Sequence, residues 1–305
     1  MRPESMALCR PCSTHGRRNV KEHALLCGAF VGSWLVACNP FLTDAPDATG
    51  ASVATGGNTV ASGGTATATG GAGGNAAGGG QGGARSGSDK FSFFYTSLDA
   101  MRRLSKSQNG FGGDLRFGMP TGLEGADKIC QTIAEGVGFG EKTWRAFLSV
   151  TQGPSGQPVH AIDRIGEGPW YDRQGRLIAQ DLPGLINERP AGESAAVNDL
   201  PDETGEGTSH LGSTYDAITG SNKLGLLKYD DPKNTCMDWT NSVLVNVQIT
   251  SGHTWLAGGI ANWIEAHPEL TCVAGVKLDS AGVSDGTSIG AGGGWGGFYC
   301  FALSP

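Results

Sequence analysis

Apolar residues gather in two parts of the chain and are nearly missing between them. Residues 24–37, ALLCGAFVGSWLVA, form one continuous apolar run, whereas 43–89 consist almost wholly of Gly, Ala, Thr, Ser and Asn. From Lys90 onward hydrophobic positions return in short, regularly spaced sets. FSFFYTS at 91–97 is aromatic and β-prone, and predicts a buried strand. NGFGGDLRFG at 109–118 predicts a loop. Over 122–137, Leu123, Ala126, Cys130, Ile133, Ala134 and Val137 recur at helical spacing, and Thr121 with Glu124 supplies a capping box, so a helix is predicted that turns Cys130 inward. TWRAFLSV at 143–150 alternates as a half-buried strand does. GPWYDRQGRLIA predicts a hairpin turning at Arg173-Gln174-Gly175, and GGFYCFAL a final strand. Residues 187–223 have almost no aliphatic periodicity and predict a long loop, the kind of segment that carries function in a compact domain. The expected class is α+β, one early helix on a mostly antiparallel sheet with long loops.

Composition turns this pattern into three parts. Residues 39–89 have too little to bury to offset their conformational entropy and are expected to be a disordered tether spanning on the order of 40 Å. Residues 90–305 hold six of the seven tryptophans and all five tyrosines, enough for one core. That region carries 16 basic and 24 acidic residues, a net −8, which disfavours a nucleic-acid partner. Residues 1–38 read as a signal peptide. Arg17, Arg18 and Lys21 precede the apolar run, which is too short to span a bilayer and ends in Leu35-Val36-Ala37-Cys38, similar to a bacterial lipobox. Cys38 is the expected lipidation site, which would anchor the mature chain in the cell envelope, at the outer membrane. Cys9-x-x-Cys12 lies ahead of that point and falls away with the signal. The four cysteines of an exported domain, Cys130, Cys236, Cys272 and Cys300, are expected to form two disulfides in one of three pairings.

The run GADKICQTIAEGVGFGEKTWRAFLS at 125–149 resembles the start of endostatin, a C-terminal domain of certain collagens and a variant of the C-type lectin-like fold. The later landmarks keep the same order: GPWYDRQGRLIA, ITGSN, TCMDWTN, a segment around Cys272, and FYCFAL. The chain also resembles a bacterial family of exported lectin-like domains sharing the CxDWT and YCF signatures. The likeness covers most of 90–305 and implies the nested pairing Cys130–Cys300 and Cys236–Cys272. It does not carry endostatin's zinc or heparin sites over. The first histidine of the domain is His160, too late for the zinc ligands, and the arginines are scattered in an acidic domain. The calcium-binding motifs of sugar-binding lectins are also missing from the sequence.

Few motifs point to chemistry. Gly282-Val283-Ser284-Asp285-Gly286 matches a nucleophile elbow, but no histidine follows the serine. Gly292, Gly294 and Gly297 match a phosphate-cradling glycine pattern, but a strand follows instead of a helix. Asp199, Asp202, Glu203, Glu206 and Asp216 concentrate oxygen ligands in the long loop, and Asp199, Asp202 and Glu203 are the candidates for calcium; no other cofactor is expected. His210, His253 and His267 could ligate zinc or act as bases, although no supporting motif surrounds them, and surface or capping roles are the reading preferred. Trp144, Trp170 and Trp239 lie in strand-like runs and are expected in the core, while Trp255 and Trp295 lie beside glycines, where an aromatic can stack on a sugar or anchor a protein. The expectation is a non-enzymatic, membrane-tethered binding or adhesion module for a glycan or envelope protein, with Trp255, Trp295, Asp199, Asp202 and Asp216 as its ligand-binding residues. An enzyme on a lectin-like fold and a structural envelope lipoprotein are the alternatives.

Overall fold

The computed structural model describes residues 88–186, 199–255, 262–279 and 284–304. Cys38, the signal segment and the Gly-rich tether lie outside the described residues. The described part is α+β, with mostly antiparallel sheets, few helices and two disulfides.

Its first sheet has three strands in the order β1 (Phe93–Tyr95), β9 (Tyr299–Ala302), β2 (Trp144–Ala146), all antiparallel. The final strand therefore lies between an early strand and the one that follows the main helix. That helix, α2 (Gly122–Gly136), starts at the predicted capping box and packs against β2. Cys130 on α2 is bonded to Cys300 on β9, and Cys236 to Cys272, the pairing that the resemblance implies. Around this sheet the aromatic side chains close on one another. Phe301 alone touches the rings of Phe93, Phe147, Trp170 and Trp263, and all five are buried. The hairpin is β3 (Trp170–Tyr171) with β4 (Leu177–Ala179), paired about the predicted turn. The second sheet has four strands in the order β7 (His267–Thr271), β6 (Val245–His253), β5 (Asp216–Ile218), β8 (Gly294–Gly297). Its β5–β8 pair is parallel and the others antiparallel.

Four expectations need correction. A second early helix, α1 (Leu98–Ser105), precedes α2; Ser97 caps it by accepting from the Ala100 amide, and Leu98 and Met101 fill the core. The strand expected over 143–150 shortens to Trp144–Ala146, because the chain then crosses to the other sheet and the Ser149 amide donates to the Thr219 carbonyl. The long polar stretch contains a strand, β5, hidden in the sequence because it is only three residues long. Trp239 is buried as expected but not in a strand. Cys236, Met237, Asp238 and Trp239 form one left-handed turn, with φ of 51, 56, 56 and 62°. For residues with a Cβ this conformation costs about 1–2 kcal/mol each. The turn is held by the Cys236–Cys272 bond, by Trp239 Nε1 donating to the Ser149 carbonyl, and by the Asp238 carboxylate, which accepts from the Thr151 and Gln152 amides and from the Thr151 and Thr235 hydroxyls.

Candidate metal centre

The second sheet brings together side chains that are far apart in sequence. Asp216 on β5 stands directly opposite His253 on β6, and Ser251 on β6 directly opposite His267 on β7. Directly paired residues project to the same side of a sheet, as do residues two apart on one strand. Asp216, His253, His267 and Glu269 therefore share one face. His267 Nε2 is 2.9 Å and His253 Nε2 3.6 Å from the same Asp216 Oδ1, while His267 Nδ1 is 3.6 Å from Glu269 Oε1. One ligand atom each from Asp216, His253 and His267 can be chosen so that all lie within 4.8 Å of one another, and no other such group of three occurs among the described residues.

The cluster is buried and poorly satisfied. Asp216 is 2% and Glu269 0% exposed. Both Asp216 carboxylate oxygens, both His253 ring nitrogens, His267 Nε2 and Glu269 Oε1 have no hydrogen-bond partner; the 2.9 Å contact of His267 with Asp216 is close but not aligned as a hydrogen bond. Leaving such groups unpaired out of water costs about 1–3 kcal/mol each. Nitrogen and oxygen lone pairs converging in this way form the surroundings of a cation.

Burial and the Asp216 charge set the protonation of the cluster. Burial, reinforced by the neighbouring Asp216, pushes Glu269 up to about 9, so it holds a proton at neutral pH. Burial pushes His253 down to about 4, with His267 adding to the fall and Asp216 opposing it, so its ring is a neutral ligand. Burial also works against the charged form of His267, but the Asp216 carboxylate 2.9 Å from its Nε2 outweighs it and raises its pKa. Glu269, set against the Nδ1 edge of His267, is placed to orient that ring while Nε2 faces Asp216.

Glycine is required on the roof of the site. A Cβ at Gly292 would fall 2.3 Å from Asp216 Oδ2 and from Glu269 Oε1, and the Gly292 amide donates to Glu269 Oε2 at 3.3 Å. Gly292, the first glycine of the 292, 294 and 297 pattern, thus closes over a carboxylate and imidazole cluster instead of a phosphate. Comparison with protein-family models and with curated proteins gives no match. What the cluster can do therefore follows from its own donors.

The other expected site residues do not converge there. Asp199 accepts from the amide and hydroxyl of Ser209, and Asp202 from the amide and hydroxyl of Thr204. Glu203 accepts from the amide and hydroxyl of Ser97, and burial with Asp202 nearby raises it to about 7. These three carboxyls are committed to separate local donors, so the calcium set of Asp199, Asp202 and Glu203 is not assembled; of the acidic loop, only Asp216 enters a ligand cluster. Trp295 is also corrected: at 1% exposure, with Nε1 donating to the Thr96 carbonyl and its ring on Tyr95, it is core and closed to a sugar. Trp255 is half-buried and packs edge-on against Tyr215, whose ring lies 4.5 Å from that of His253, so it borders the cluster. His210 is exposed beside the Gly207 carbonyl, a surface position as expected. His253 and His267, assigned surface or capping roles from sequence, are ligand candidates instead. Ser284 of the elbow-like motif hydrogen-bonds to Glu269, while Gly282 and Val283 lie outside the described residues. The sequence signal for Glu269 is its spacing from His267: in His267-Pro268-Glu269 on a strand the outer two residues share one face.

Proposed function

We propose that this chain is a lipid-tethered extracytoplasmic binding module, endostatin-like and C-type lectin-like in fold, that holds a zinc ion on Asp216, His253 and His267. The observation that carries the metal reading is the set of buried, unpartnered nitrogen and oxygen atoms on those three side chains. Two imidazoles and a carboxylate suit zinc far better than calcium or magnesium, which take oxygen ligands. The zinc would neutralise Asp216, satisfy both rings and fix three strands of the second sheet to one another. Glu269 would orient His267, and Trp255 with Tyr215 would form the outer margin on which a glycan or protein ligand is read. In this reading Cys38 anchors the module to the cell envelope, at the outer membrane, and the module catalyses no reaction.

Isothermal titration of the purified, chelator-stripped chain with zinc sulfate at pH 7.5 tests the site. One equivalent should bind, and the double variant H253A/H267A should bind none. Equal binding by that folded double variant would refute the assignment. A glycan array run with and without zinc tests the module's ligand class, and zinc-dependent hydrolysis of ester or peptide probes would favour an enzyme instead.

A further inference from the structure

We infer that a groove between the N-terminal turn of α2 and the Gln152–Pro154 turn binds a small organic carboxylate with an apolar body. This site is independent of the zinc cluster. The groove has a volume of about 550 Å³, within the range of small-molecule sites, and Leu123, Val150 and Val159 supply its apolar wall. Three acids also line it, but two of them face donors of their own. Asp238 accepts from the Thr151 amide and hydroxyl, the Gln152 amide and the Thr235 hydroxyl, and Glu124 Oε2 accepts from the Thr121 amide and hydroxyl.

The third acid, Asp127, sets up the charge at the base. Arg164 Nη2 holds both of its oxygens at 2.8 Å, and the Ala146 amide donates to Oδ1 at 2.9 Å. Asp127 is thus neutralised before Arg145 is counted. Arg145 gives Nη1 to Asp127 Oδ2 at 2.6 Å, while its Nε and Nη2 meet no acceptor among the described residues, and its side chain remains 42% exposed. A guanidinium pinned at one corner, with two other nitrogens free beside an apolar wall, matches a planar carboxylate on an apolar stem. The supports are rigid: α2 is disulfide-bonded to β9, and the Cys236–Trp239 turn is bonded to Cys272.

Three probes of one shape and different charge test this: 4-phenylbutyrate, 4-phenylbutanol and 4-phenylbutylamine, titrated into the purified chain by ligand-observed NMR at low salt. The carboxylate should bind about tenfold or more tighter than the alcohol, and R145M should erase that difference while leaving alcohol binding in place. L123W, which fills the apolar wall and leaves Arg145 untouched, should weaken all three. Both variants should keep the wild-type circular dichroism spectrum. Equal binding of acid and alcohol, tightest binding of the amine, binding of none, or an undiminished preference in R145M would each overturn the inference. So would unchanged acid binding in L123W, which would place the ligand elsewhere.

Discussion

The two sheets bury their inner faces in opposite ways. Against the β1–β9–β2 sheet the buried surface is aromatic, ring on ring, and Trp144 Nε1, which enters it, is paired with the Phe139 carbonyl; the Tyr299 hydroxyl on β9 is a buried polar atom there without a partner. On the face of the β7–β6–β5–β8 sheet that carries Asp216, the buried surface is charged and its lone pairs meet one another. The first arrangement is self-sufficient, since burial of apolar area stabilises it directly. The second destabilises the bare protein, and it makes physical sense as a place kept ready for something else.

If that contrast is sound, damage to the two regions should differ in kind. The largest effect should come from opening the first. C130A/C300A removes a crosslink spanning 170 residues, and urea denaturation should show a loss of about 5 kcal/mol. F301A, which takes away the ring shared by four aromatic neighbours, should cost about 3–5 kcal/mol by the same measurement, with or without zinc. A zinc-dependent cost for F301A would blur the distinction between the regions.

Glu203 offers an internal control, a buried acid that is fully hydrogen-bonded and remote in role from the cluster. Its folded pKa of about 7 lies above its ordinary 4.5, so the folded state binds the extra proton between those values. The stability that this contributes is full below about pH 4.5 and is lost as pH rises through 7, by about 3 kcal/mol. E203Q cannot lose that proton. Its unfolding free energy, followed from pH 4 to 8, should therefore gain on wild type by about that amount, and parallel curves would count against the buried, protonated state. Neither protein's zinc response should differ.

The smaller effects belong to the cluster itself. Zinc at a hundredfold excess over its Kd should stabilise the wild-type chain by about 2.7 kcal/mol, and a chelator should reverse this. D216N should abolish the zinc shift and, because it removes the charge 2.9 Å from His267 Nε2, should lower the pKa of that ring in an NMR titration of the metal-free chain. A large metal-free loss in D216N would mean that Asp216 is structural.

How much of this could be read from the chain depended on locality. The helix over 122–137, its capping box and the hairpin at Arg173-Gln174-Gly175 are each written within a few residues, and all were legible. The cysteine pairing was legible only through a resemblance, since three pairings are open to four cysteines. The cluster was not legible because its ligands come from three strands, one of them a three-residue strand in a polar stretch without aliphatic periodicity, and no fixed spacing links 216 to 253 or 267. Trp295 misled for a related reason. Neighbouring glycines suggested an open loop, but they are there to let the chain pack closely, as at Gly297, where a Cβ would meet the Tyr95 hydroxyl at 2.2 Å.

The pairing of β1 with β9 has a topological consequence. Phe93 lies opposite Phe301, so the outermost strands of the described fold are already hydrogen-bonded neighbours. In connectivity the domain is close to a ring, and its strand order does not depend on where that ring is cut. A circular permutant that joins these neighbours through a short glycine linker and opens at the exposed Pro154–Gly156 turn should keep both sheets and both disulfides intact.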